Sequence, residues 1–106
     1  MNIELYTKPS CMQCAATEWR LDKHGISYSK HTLANHPDVV ADLRARGFMA
    51  APGVILRASD GGILDAWGGN NTAKIDAAVD RIRQADAVAY LLADEADNVE
   101  QLEDHR

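Results

Sequence analysis

Residues 6–14 read YTKPSCMQC, and both cysteines of the 106-residue chain, Cys11 and Cys14, fall within this stretch. The run before it, residues 3–6 (IELY), has the short apolar pattern of a strand, and Pro9 and Ser10 stand where a helix begins. Two thiols three positions apart at a strand-to-helix junction point to chemistry rather than packing. A thiol attacks a disulfide only as its thiolate, and a free cysteine with a pKa of about 8.5 is only about 3 % ionised at pH 7. At the first turn of a helix, unpaired N–H groups and the positive end of the dipole favour the anion of Cys11, and Lys8 is positioned to add a positive charge. Thiols of C-x-x-C pairs have pKa values of roughly 3.5 to 7.5. Cys14 falls about one turn later on the same face and deeper, so Cys11 is expected to be the nucleophile and Cys14 the resolving thiol.

Other readings of the same residues stand beside this one. Zinc needs two further ligands, and His24, His31, His36 and His105 show no H-x-x-x-H pairing to complete a set. A pair of inert, buried cysteines conflicts with the polar TKPS that precedes Cys11. Lys8 reads equally as support for a thiolate or as an ordinary solvated lysine.

Composition sets the frame. The chain is long enough for one small core, with 46 % apolar and 25 % charged residues, and no run approaches the roughly 20 apolar residues of a membrane span. The start, MNIELYTK, lacks the basic and apolar regions of an export signal, so a reducing cytoplasm is expected. There a C-x-x-C pair is catalytic or metal-binding more often than a structural disulfide. Residues 1–82 carry nine acidic and nine Lys/Arg side chains, whereas residues 83–106 carry seven and two, so the whole net charge of −5 lies in the tail. No basic cluster exists to replace phosphate counterions, which argues against nucleic acid.

The hydrophobic period then changes in a regular order. Residues 11–24 read as a helix that mixes Ala15, Trp19 and Leu21 with polar residues and stops at Gly25. Residues 26–33 alternate as a strand, and residues 37–46 form a helix between Pro37 and Gly47. VILRA and GILDAW flank the turn at residues 59–62 as a β-hairpin, and another helix opens near Asn71. Helical crossovers make the first two strands parallel neighbours and the hairpin adds an antiparallel pair, giving an α/β, mixed four-stranded sheet flanked by helices.

This order, with C-x-x-C at the start of the first helix and a proline just before the hairpin, resembles the thioredoxin fold in its minimal, glutaredoxin-type form over residues 1 to about 82. Within that superfamily the chain resembles the NrdH-redoxins. Tyr6, Thr7, Lys8, Pro9, Cys11, Gln13, Cys14, Ala16, Thr17, Leu21, Asp22, Lys23, Gly25, Ile26 and Tyr28 match that family's opening. GFMAAPGV matches its later Gly-Tyr/Phe-x-x-Ala-Pro-Val, with Pro52 at the place of a cis proline and Gly53 where a β-branched residue is usual. The departure at Gly53 predicts a looser start to that strand.

The resemblance implies a dithiol–disulfide oxidoreductase that carries electrons to ribonucleotide reductase. It would bind no cofactor or metal, work through its Cys11–Cys14 disulfide, and draw electrons from NADPH through thioredoxin reductase. Met12, Gln13, Ala51, Pro52, Trp67, Gly68 and Gly69 are the implied substrate-binding residues, with the backbone of Ala51 pairing an extended target in strand fashion. The alternatives are a glutathione-dependent glutaredoxin and a non-catalytic metal- or protein-binding module.

WGGNN, residues 67–71, bears on the first alternative. Glutathione-binding relatives have Gly-Gly-x-Asp here and NrdH-redoxins have Trp-Ser-Gly-Phe-Arg-Pro, whereas Asn70 and Asn71 are uncharged and Asn71 also suits a plain helix N-cap. Residues 83–106 have no counterpart in the resemblance. Ile75, Val79, Ile82, Ala85, Ala89, Leu92, Ala96, Val99 and Leu102 recur at spacings of three and four, which predicts that the third helix continues and docks as an acidic extension on a monomer. A dimerising or partner-binding helix is the other reading of that stripe.

Overall fold

The computed structural model describes the backbone of residues 1–105 and the side chains of residues 1–92. Its elements run β1 (Asn2–Thr7), α1 (Met12–Lys23), β2 (Tyr28–Thr32), a 3₁₀ turn (Leu33–Asn35), α2 (Pro37–Ala45), β3 (Gly53–Arg57), β4 (Ile63–Gly68) and α3 (Thr72–His105). The sheet order is β2-β1-β3-β4, with β1 and β2 parallel and the other pairs antiparallel. This is the thioredoxin-like arrangement that the element order predicts.

Alternation along the strands decides what each face carries. Ile3, Leu5, Val54, Leu56 and Trp67 meet Leu21 of α1 and Ile75, Ala78, Val79 and Ile82 of α3. Tyr6 and Ile55 point the other way, onto Leu43 of α2, with Leu33, Val39 and Phe48 around them. Each fully buried aliphatic side chain contributes roughly 1.5–3 kcal/mol, and a one-residue slip of β3 would exchange the two faces. The two helices that share a face are also joined by a fork: Arg20 Nε and Nη2 donate to the two carboxylate oxygens of Asp76 at 2.9 and 2.8 Å.

Two expectations change here, the start of the second strand and the docking of the third helix. The second strand begins at Tyr28 rather than residue 26, because Ile26 N–H donates to Leu21 O at 3.0 Å and closes the end of α1, with Gly25 at φ 69°. Trp19 is 62 % exposed with Lys23 Nζ 5.2 Å from its ring. The buried stripe of α1 is Cys14, Thr17 and Leu21, and position 19 falls on the opposite side of the helix. The third helix does continue, but docking ends at Ile82: Val88 is 55 % and Leu92 61 % exposed. The stripe positions Ala96, Val99 and Leu102 lie outside the described side chains. Among the described residues no helix is long and apolar enough to cross a membrane.

Candidate active site

The chain leaves β1 through Thr7, Lys8, Pro9 and Ser10, and Ser10 takes φ 55°, a left-handed conformation that costs an L side chain on the order of 1 kcal/mol. That turn sets Cys11 as the N-cap of α1, at φ −112° and ψ 107°. Its sulfur does what a serine or aspartate oxygen does at other caps: Cys14 N–H donates to Cys11 Sγ at 3.1 Å. Ala15 N–H donates to Cys11 O at 3.1 Å. Cys11 and Cys14 form a disulfide with Cα atoms 5.2 Å apart, inside the usual range for such a bridge. The two sulfur-bearing residues differ in access. Cys14 is buried at 3 % exposure, Cys11 is half-buried, and Met12 and Gln13 between them face solvent.

The segment that enters β3 shares a cleft with Lys8 of the loop that precedes Cys11. The Ala51–Pro52 peptide is cis, with Pro52 buried and Ala51 half-buried. Gly53 pairs with Tyr6 and with Gly68 from the first residue of the strand, so the strand start is not loosened; the Leu43 side chain fills the space a Cβ at Gly53 would take. Lys8 is exposed and lines a cleft of about 190 Å³ with Arg44, Phe48, Met49, Ala50 and Ala51. The structure therefore brings Lys8 to the Ala51 segment. Among the described residues, neither Lys8 nor Arg44 has a carboxylate partner, whereas Arg20, Lys30, Arg46, Arg57 and Lys74 each have one.

The third wall is the turn from β4 to α3. Gly69, at φ 80°, donates its N–H to Ala50 O at 3.1 Å and Pro52 O at 2.8 Å. Gly68 lies so close to the same segment that a Cβ there would stand 3.0 Å from both Ala50 O and Phe48 Cβ. Asn71 is the helix cap, with Lys74 N–H donating to its Oδ1 at 3.1 Å, and Asn70 Oδ1 accepts from the Thr17 hydroxyl at 3.0 Å. Trp67 departs from its expected place. It is 3 % exposed within the core against α3, because position 67 pairs with Val54 and shares that strand's inner face. Direct contact with a substrate is closed to it; it anchors the glycines that follow. The sequence reading weighs Asn70 only at the place of a glutathione-binding aspartate and Thr17 only as a family match, and it does not place Arg44 or Met49 in this site. Asn70, Arg44 and Met49 reach the cysteine helix only when segments more than about 30 residues apart fold together.

The chain matches the glutaredoxin family model over residues 3–58. It is 34 % identical over 55 residues to the glutaredoxin-like protein NrdH of Escherichia coli K12, covering 52 % of this chain and 68 % of that protein. The NrdH protein of Lactococcus lactis subsp. cremoris is 32 % identical over 50 residues, 47 % of this chain and 69 % of the relative. Among solved structures, the NrdH-redoxin of E. coli superposes with a TM-score of 0.59 at 32 % identity, over 72 % of this chain and 92 % of that one. The thioredoxin-like protein BC3987, at 20 % identity and a TM-score of 0.56 over 73 % of this chain and 99 % of its own, shares the fold.

Proposed function

From the premise that this chain belongs to the glutaredoxin family, as a thiol–disulfide oxidoreductase of the NrdH kind, we propose that Cys11 attacks and Cys14 resolves in the reduction of a protein disulfide. The observation that carries this assignment is the unequal access of the two cysteines: half-buried Cys11 caps α1 and buried Cys14 lies one turn beneath. In the dithiol form, the Cys11 thiolate attacks one sulfur of the client disulfide, and the client's other sulfur leaves as a thiolate and takes up a proton. The Cys14 thiol, losing its proton, then attacks Cys11 Sγ. The client's second thiol is released and two electrons have passed to it, leaving the Cys11–Cys14 disulfide. Cys14 N–H on Cys11 Sγ, with the helix N-terminus behind it, favours the attacking anion. The client we infer is ribonucleotide reductase, and residues 1–82 act as the redox unit with 83–106 as an acidic C-terminal extension.

Regeneration is assigned to an NADPH-dependent thioredoxin reductase. Glutathione would need a carboxylate near Cys11 for its ammonium, and both candidate side chains are uncharged amides whose oxygens are already engaged: Asn70 Oδ1 by Thr17, and Asn71 Oδ1 by Lys74 N–H. The E. coli NrdH-redoxin is itself described as having a thioredoxin-like activity profile. One observation favours a glutathione-using protein: Lys8 and Arg44 line the cleft beside Ala51 without a carboxylate partner among the described residues, and each suits a carboxylate ligand. The test follows NADPH consumption by the oxidised protein, first with thioredoxin reductase and then with glutathione plus glutathione reductase. Turnover with the first is expected, and rapid turnover only with the second overturns the assignment.

A further inference from the structure

One hydrogen-bonded group beside the cysteine pair joins three segments that are distant in sequence. Thr17, fully buried one turn after Cys14, donates its hydroxyl to Asn70 Oδ1 at 3.0 Å. Asn70 N–H donates to Gln13 Oε1 at 3.0 Å, so the solvent-facing Gln13 side chain between the two cysteines is tied through its oxygen to the β4–α3 turn. One residue earlier, Gly69 N–H is shared between Ala50 O and Pro52 O. Gly69 takes φ 80°, a conformation that favours glycine, and a Cβ there would stand 2.8 Å from Gln13 Oε1, which would have to shift. Residues 69 and 70 thus grip the cysteine helix with one hand and the Ala51 segment with the other.

We propose that Asn70, held by Thr17, is a positioning residue that sets the spacing between Cys11 and the backbone of Ala51. This rests on the reading that Cys11 attacks a protein disulfide while the client chain lies along that backbone. A folded client must meet the thiol and the backbone edge together, whereas a small disulfide meets the thiol alone. Misplacement of one wall by about 1 Å is enough to cost up to about a hundredfold when two contacts must be made at once. The hydroxyl is the specific element. Thr17 is completely buried, Asn70 Oδ1 is its hydrogen-bond partner, and valine would keep its shape while leaving that oxygen without its donor.

The experiment compares wild type, Asn70→Ala, Thr17→Val and Thr17→Ser with two substrates, insulin as a protein disulfide and hydroxyethyl disulfide as a small one. The expected result for Asn70→Ala and Thr17→Val is a KM for insulin raised about tenfold, with kcat and the small-disulfide rate within about twofold of wild type. Thr17→Ser, which keeps the donor, restores the insulin KM. The double variant loses no more than either single one, because both remove the same contact. Equal losses on both substrates, or none on either, overturn the proposal, as does a Thr17→Ser variant no better than Thr17→Val. If Asn70→Ala fails to fold, the isosteric Thr17→Val and its serine counterpart decide alone. Wild-type protein inert toward both disulfides would instead sink the redox reading itself.

Discussion

Helices α1 and α3 lie on the same face of the sheet, carry apolar residues at similar spacing, and have different fates. The first is twelve residues long, is closed at both ends by Cys11 and Gly25, and buries Cys14, Thr17 and Leu21. The second is thirty-four residues long, buries Ile75, Ala78, Val79 and Ile82 in its first three turns, and then exposes Val88, Leu91 and Leu92. The strands beneath have five or six residues, about 17–20 Å, while a helix of this length extends for about 50 Å. An apolar stripe supplies the capacity to dock, and the length of the sheet decides how much of it is used. The redox motif stands on the helix that fits.

The contrast breaks most sharply at the cysteines. Replacing Cys11 by serine should lower disulfide reduction by on the order of 10³-fold or more, whereas Cys14→Ser should still attack and stall as a mixed disulfide. Mass spectrometry after mixing with an oxidised target reads both. An adduct on Cys14 of the first variant, formed at the normal rate, would reverse the assignment.

Next in size are paired truncations along α3. Ile75→Ala should cost roughly 2–5 kcal/mol in denaturant unfolding, as a cavity in a fully buried position does, and Leu91→Ala should change stability by no more than about 0.5 kcal/mol. Similar losses at both positions would mean that the second half of the helix is packed after all. Deleting residues 87–106 sharpens the same point. Because residues 87–92 are exposed, the shortened protein should keep its disulfide reductase rate within about twofold and unfold within a few degrees of the full chain. A well-folded truncation that loses most of its activity would bring the extension into the function.

The smallest effect concerns the fork that joins the two helices. The hydrogen bonds from Arg20 hold the Asp76 carboxyl below the ordinary aspartate value, against a partial opposing effect of burial. A lowered folded pKa means that the carboxylate adds stability above the ordinary aspartate range, near pH 4, and that this is lost as pH falls through the lowered value. Asp76→Asn should therefore flatten the fall in Tm on acidification through that region. Its side chain is 45 % exposed, which keeps the effect small, and an unchanged acid profile would show that the fork contributes nothing to the pairing of α1 with α3.

How much of this was legible in the chain differs by the range of the interaction. The strand, the C-x-x-C pair, the helix after it and the stop at Gly25 are all written within residues 3–25, because a cap, a turn and a period of 3.6 are local properties. The hairpin and the helix after Asn71 are local in the same sense, and residues 6–28 were enough to point to the family. Tertiary structure decided the rest. Trp67 looked like a site residue until its register opposite Val54 turned it into the core, and Ile26 looked like strand until it was spent on closing α1. Thr17 and Asn70 become partners only because α1 and the β4–α3 turn converge across 53 positions of sequence. The chain by itself determined which atoms can do the chemistry, since nucleophilicity belongs to the residue type and the helix start. Which backbone stands beside those atoms, and how firmly, was decided by the folded sheet, where hydrogen bonds between remote segments fix distances that no local pattern encodes.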